Sequence, residues 1–308
     1  MGICSHVYVK KFVCRYDKEV GVPYYVAEDF KCLHREAYSF NNSKRIEIHY
    51  FYYYYDNYQT DKIVLFCPGL GPGHCSYMAE IETLAKRGYK VLTIDYTGCG
   101  ESKGKHLGSM NTPTRDVMEL LDYLKLDKEI IMMGHSLGGF TSLKVLSLRN
   151  EIKKAVVMAP ILAIEPMVLR ASKSKFITYW VLKYERKVGK AYDKIDLPKY
   201  LGNVDKDILF ISSVDDPMVP YETSLKIAED THNPHIQIIK MEGRKHNPNY
   251  TEVAVNYMAE VFGDFNRRVM DKKIASDEER IAYFKDASIA RLTEQDQTLF
   301  DQIVAFIN

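Results

Sequence analysis

From about residue 60 onward, short apolar runs alternate with stretches whose apolar positions recur every three or four residues. Ile63-Val64-Leu65-Phe66-Cys67 is a continuous apolar run closed by Pro68-Gly69. Runs of this length suit strands buried on both faces. The runs at 91–94, 130–133, 155–158, 208–211 and 236–239 have the same character. Between them lie helical patterns. Met78, Ile81, Leu84 and Ala85 share one face that stops at Gly88, and Val117, Leu120, Leu121 and Leu124 share another. Thr112 is expected to cap the second of these helices, with Pro113 at its first position. Strands and helices alternating at this spacing predict an α/β fold with a mostly parallel central sheet and helices on both faces.

The rhythm breaks in the middle and changes at both ends. Between Pro160 and Leu201 there is only helix-like sequence rich in Lys, Tyr and Leu, read as an inserted helical cap over about 161–202. If the cap covers a site, its apolar side chains could line an acyl or aryl pocket, with Trp180, Phe176 and Tyr179 as candidate substrate-binding residues. The competing reading packs them onto the body. An N-terminal extension, about 1–45, is expected to contribute a strand over 7–13. Strand character also marks 36–40 and 45–55, with the turn residues Asn41-Asn42-Ser43 between them. The aromatic run from His49 to Tyr55 suits a strand packing one face inward. Residues 251–262 have a helical pattern, and a C-terminal extension, about 265–308, reads as charged amphipathic helices with a solvated face. The 308 residues suffice for a single α/β domain carrying these additions.

Composition narrows the chemistry. A formal net charge of +1 gives no reason to expect nucleic acid or an anionic membrane as the main partner. No apolar run approaches the ~20 residues of a membrane span. The start, Met1-Gly2-Ile3-Cys4-Ser5-His6, lacks an apolar signal segment, so the cytoplasm is the expected location. Cys4, Cys14, Cys32, Cys67, Cys75 and Cys99 show no paired CxxC spacing, which argues against a zinc site and gives no evidence for a disulfide framework. Cys67 and Cys99 end strand-like runs and read as small buried hydrophobes. Cys75, in a Gly-rich loop, is the weaker candidate for a reactive thiol.

The strongest local signal is Gly134-His135-Ser136-Leu137-Gly138-Gly139. It fits G-x-S-x-G, with an apolar strand before it and a helix-compatible segment after it. A serine at the apex of a sharp strand-to-helix turn brings the backbone on either side close together, so only very small side chains fit two residues away, as at Gly134 and Gly138. A serine hydroxyl needs an adjacent base, normally a histidine oriented by a carboxylate. In a strand–turn–helix elbow of this kind the chain order should be serine, acid, histidine. Asp215 and Asp216 follow the run at 208–211, and His246 follows the last strand in Gly243-Arg244-Lys245-His246. Both loops lie at C-terminal strand ends, where open parallel sheets place their ligands. His232 and His235 precede that strand.

Over about 60–262 these residues resemble α/β-hydrolases of the monoglyceride-lipase, cinnamoyl-esterase and serine-aminopeptidase-like group. Asp95-Tyr96-Thr97-Gly98-Cys99-Gly100-Glu101-Ser102 resembles that group's D-x-R-G-x-G-x-S loop, with Thr97 where arginine is usual. Asp216-Pro217-Met218-Val219-Pro220 resembles its acid loop, which implies Asp216 rather than Asp215. The resemblance implies a Ser136, Asp216, His246 triad. It also implies an oxyanion hole made by the backbone N–H groups of Leu137 and Leu70, although Pro68-Gly69 replaces the usual His-Gly. The expected reaction is hydrolysis of a carboxylic ester with a short acyl or aromatic group through an acyl-enzyme on Ser136, with a lysophospholipase or monoglyceride-like lipase, a peptidase or thioesterase, or a non-catalytic binding protein, as alternatives. No cofactor or metal is called for. The N-terminal aromatic strand and the C-terminal helices are candidate surfaces for a homodimer.

Overall fold

The apolar runs become the middle of one eight-stranded sheet, in a computed structural model that describes residues 2–59 and 61–308. Met1 and Thr60 lie outside the described residues. In chain order the elements are α1 (Ile3–Lys11), β1 (His34–Asn41), β2 (Glu47–Tyr54), β3 (Lys62–Cys67), α2 (Met78–Lys86), β4 (Lys90–Ile94) and α3 (Thr112–Leu124). There follow β5 (Glu129–His135), α4 (Leu137–Leu148), β6 (Lys154–Met158), α5 (Ile164–Ser172), α6 (Lys175–Gly189) and α7 (Leu197–Leu201). The chain ends with β7 (Asp207–Ser213), α8 (Leu225–Asp230), β8 (Ile236–Met241), α9 (Glu252–Met270), α10 (Asp277–Phe284), α11 (Ile289–Leu292) and α12 (Gln297–Ile307).

The strands lie in the order β1-β2-β4-β3-β5-β6-β7-β8. From β4 to β8 every pairing is parallel, and β1 and β2 add antiparallel at one edge. Side chains alternate between two cores, as the pleat requires. Leu65, Met132, Val157 and Phe210 pack against α3, α4 and α8 on one face. Val64, Phe66, Ile131, Met133 and Ile211 pack against α2 and α12 on the other. Burial on both faces explains why the central strands read as unbroken apolar runs.

Several sequence expectations need correction. Residues 7–13 are not a strand: they fall in and just after α1, which buries Ser5 and Tyr8 on one side against α6. Tertiary packing there overrides the β-branched composition. The aromatic strand β2 packs both faces, with Ile48, Tyr50 and Tyr52 in one core and Phe51 and Tyr53 in the other, because it lies inside the sheet between β1 and β4. Helix α3 begins at Thr112 itself, and Asn111 precedes it without a side-chain cap. The C-terminal helices are not merely solvated. Helix α12 buries Leu299, Phe300, Ile303 and Ile307 directly on the sheet, while α9 and α10 contribute to two small clusters of their own.

Helices α5 to α7 fill the connection between β6 and β7. A buried carboxylate ties α6 down. Glu185 accepts from the hydroxyls of Tyr8 and Ser109 at 2.8 and 2.6 Å, from the Met110 N–H at 3.1 Å and from the Asn111 amide at 3.2 Å. The Lys144 ammonium, also buried, donates to Asn111 Oδ1 at 2.6 Å. Every polar atom of Glu185 is thus matched, which is the condition for burying such a group without a large penalty.

Candidate active site

Between β5 and α4, Ser136 has φ 56° and ψ −114°. A non-glycine residue holds such a conformation only where its surroundings impose it. Its N–H donates to the Met158 carbonyl at 2.9 Å, and its own carbonyl accepts from the N–H groups of Phe140 and Ile161. The flanking glycines are steric necessities. A Cβ on Gly134 would lie 2.3 Å from the Gly138 carbonyl oxygen, and a Cβ on Gly138 would lie 1.8 Å from that of Cys67. The first turn of α4 therefore rests directly on the end of β3.

Loops after β5, β7 and β8 converge at this point. Ser136 Oγ is 3.0 Å from His246 Nε2, and His246 Nδ1 is 2.8 Å from Asp216 Oδ2. The other Asp216 oxygen accepts from the N–H groups of Met218 and Val219 at 2.7 and 2.9 Å. With both carboxylate oxygens accepting, the imidazole proton sits on Nδ1 and the Nε2 lone pair faces the serine hydroxyl. A hydroxyl held in this way can give up its proton as it attacks an electrophile. The neighbouring Asp215 is exposed and accepts from the Ser213 hydroxyl instead. His235 pairs with Asp207 at the surface.

One residue of this layer escaped the sequence reading. His135, inside the elbow motif, is buried and places Nε2 2.6 Å from the His246 carbonyl and Nδ1 2.9 Å from the Tyr77 hydroxyl. A carbonyl can only accept, so the proton is on Nε2, and Tyr77 donates to Nδ1. Burial, with His246 beside it, pushes the His135 imidazole down to about 3, so it is neutral near pH 7. It holds the loop carrying His246 by the backbone. The only sequence signal was a histidine at the free position of G-x-S-x-G.

The loop after β3 lies against the same turn, since a Cβ on Gly69 would come within 3.2 Å of the His135 carbonyl oxygen. The Pro68 carbonyl accepts from Tyr96 at 3.0 Å, and Leu70 follows with its side chain part-exposed. The Leu137 N–H belongs to the first turn of α4, where helix donors lack intrahelical partners. Asp95 braces this region from within. It accepts from the backbone N–H and Nδ1 of His74 at 2.8 and 2.9 Å and from the Glu101 N–H at 2.8 Å. At Thr97, where arginine is usual, Arg115 from α3 supplies a guanidinium that bonds the Thr97 hydroxyl at 3.1 Å and Asp116 at 2.7 Å.

Cys67, Cys75 and Cys99 are all buried. Burial pushes the Cys75 thiol up to about 11, against the thiolate a reactive cysteine needs. Among the described residues, no cluster of His, Cys, Asp or Glu could hold a metal ion.

A cavity of about 130 Å³ lies between α5 and the acid loop, lined by Ile161, Leu162, Pro166, Met167, Met218 and Val219 among others and by no residue of the triad. The cap contributes to it through α5, not α6. Phe176, Tyr179 and Trp180, expected to line a substrate pocket, lie exposed on the outer side of α6, because its buried stripe of Thr178, Val181 and Glu185 faces the body.

The His246 loop is anchored further by Asn249, whose amide donates to Glu80 Oε1 at 3.0 Å and to Gln295 Oε1 at 2.8 Å. Burial raises the Glu80 carboxyl to about 7. A carboxyl raised in the folded state favours folding below its unfolded pKa, near 4.5, and loses that contribution as pH climbs through about 7. Glu80→Gln should therefore gain on the parent protein by about 3 kcal/mol between pH 4.5 and pH 8. Urea unfolding of both proteins at the two pH values measures this, and an equal difference at both would contradict it.

Comparison with known proteins agrees with the fold. Residues 58–201 match the family model described as serine aminopeptidase, S33. A curated epoxide hydrolase from Caballeronia sordidicola is 29% identical over 116 residues, covering 37% of this chain and 34% of that protein. The match spans about a third or less of the length of the curated relatives. The structure of the Pyrococcus furiosus esterase Pf2001 aligns with TM-score 0.60 and 20% identity, covering 82% of this chain and 98% of that one. Est1E from Butyrivibrio proteoclasticus, solved with ferulic acid bound, aligns with TM-score 0.54 and 19% identity, covering 74% and 97%. By its sheet order and these structural likenesses the chain has the α/β-hydrolase fold, and over residues 58–201 it is similar to the serine aminopeptidase, S33, family.

Proposed function

We propose that the chain hydrolyses carboxylic esters of short or aromatic acyl groups through an acyl-enzyme on Ser136. The observation that carries this reading is the 3.0 Å contact between Ser136 Oγ and His246 Nε2. As Oγ bonds to the ester carbonyl carbon, His246 takes the hydroxyl proton and Asp216 stabilises the imidazolium. The backbone N–H groups of Leu137 and Leu70 hold the resulting oxyanion. Collapse expels the alcohol, which receives the proton from His246. Water then repeats the sequence, releasing the acid and restoring Ser136.

The cavity between α5 and the acid loop is the candidate acyl pocket, since Ile161 in its lining donates its N–H to the Ser136 carbonyl at 3.3 Å. At about 130 Å³ it has the volume of roughly four waters, enough for a few carbons or one ring. Its lining from α5 and the acid loop is mostly apolar. A panel of nitrophenyl esters of rising chain length should show kcat/KM falling at least ~10-fold beyond about six acyl carbons. Aminoacyl amides should be cleaved much more slowly. A rate that rises through dodecanoate would favour a lipase, and faster amide cleavage a peptidase. Inertness toward every ester would favour a non-catalytic binding protein.

A further inference from the structure

We infer that the outer face of α6 docks onto an anionic phospholipid bilayer. Phe176, Tyr179 and Trp180 are 67%, 55% and 39% exposed, and their i, i+3, i+4 spacing puts them on one side of the helix. They pack edge-on against one another, at 6.4 Å for Phe176–Trp180 and 5.6 Å for Tyr179–Trp180, and all three stay exposed among the described residues. The same arc carries cations. Lys175, Lys183, Arg186 and Lys187 are exposed, and Lys183 Nζ sits 4.8 Å above the Trp180 ring. The one acidic residue of α6, Glu185, is wholly buried on the opposite side. Helix α1, packed beside α6, adds exposed Ile3 and Val7 with Lys10 and Lys11.

Aromatic side chains flanked by lysine and arginine are the composition of helices that lie in a membrane interface. Tyr and Trp settle at headgroup depth with the ring inward and the polar tip toward water, and lysine stems reach past them to lipid phosphates. Charge complementarity selects this occupant over a second copy of the chain. A two-fold dimer through this face would set its row of cations against itself, whereas an anionic surface neutralises every one. The overall charge of +1 concealed the patch because it averages over a basic cap and more acidic surfaces elsewhere. Among the described residues, no helix is long and apolar enough to cross a membrane, so the contact is peripheral. The inference is independent of the catalytic reading.

Trp180 is the only tryptophan, so its emission reports directly on this face. The full chain is titrated with vesicles of phosphatidylcholine, with and without about 30 mol % phosphatidylserine, and binding is checked by flotation. The expected result is a blue shift and flotation with the anionic vesicles only, lost at high salt. Phe176→Ser/Tyr179→Ser and Lys183→Glu/Lys187→Glu should each weaken partitioning at least ~10-fold, while far-UV circular dichroism shows both folded. No shift and no flotation with anionic vesicles would overturn the inference, as would binding that neither double variant weakens. A shift that follows protein concentration alone, with a doubled mass by light scattering, would assign the face to a second copy instead.

Discussion

Ser136→Ala is expected to lower ester turnover by on the order of 10⁴- to 10⁶-fold while leaving the fold intact. The methyl keeps the elbow's shape and removes only the oxygen that lies 3.0 Å from His246. The imidazole keeps its Asp216 bond, and the backbone donors at Leu137 and Leu70 stay in place. What remains is the modest acceleration that these proposed oxyanion donors would give to attack by water. Alanine at φ 56° carries the same backbone strain as serine, so thermal stability should change by less than ~1 kcal/mol. Steady-state kinetics beside a thermal melt separate the two effects. A melt that collapses along with the rate would mean that the loss was structural.

The second large effect is on stability. Gly138→Ala would place a methyl 1.8 Å from the Cys67 carbonyl oxygen and 2.7 Å from that of Pro68. Both atoms are backbone, and the Cys67 end of β3 is paired on each side, to β4 and to β5. Relief requires lifting α4 off the sheet, with Leu143 and Leu146, both fully buried, lifted along with it. A loss of about 3–5 kcal/mol or failure to fold is expected. Gly263→Ala is the control. That glycine lies within α9 with nothing inside 4 Å of its added Cβ, and alanine there should stabilise by up to ~1 kcal/mol. Denaturant midpoints for the two variants check the contrast.

Much of this architecture was legible because burial leaves a direct mark on sequence. The central strands are apolar on both faces and short, so 63–67 and 130–133 could be placed within a residue or two. The elbow was legible for a steric reason: its two glycines are demanded by contacts that any chain making this turn must have. Other features depend on what a segment meets in three dimensions. Val7, Tyr8 and Val9 suggest a strand until α6 offers Tyr8 a hydrogen-bonding carboxylate. Glu185 looks like one more charge on a surface helix, yet four donors from α1 and the segment before α3 make it the inner anchor of the cap. Phe176, Tyr179 and Trp180 fit a pocket in composition, but the helix phase set by Val181 and Glu185 turns them outward. His135 is invisible as a positioning residue because the group it bonds is a backbone carbonyl 111 residues away.

The central claim is that the alcohol of Ser136 is the nucleophile, and covalent capture measures it most directly. The protein is incubated with a fluorophosphonate, digested and mapped by mass spectrometry. The account predicts one phosphonyl adduct, on the peptide containing Ser136, and none on the Ser136→Ala protein. An adduct on another residue, or labelling undiminished in that variant, would contradict it.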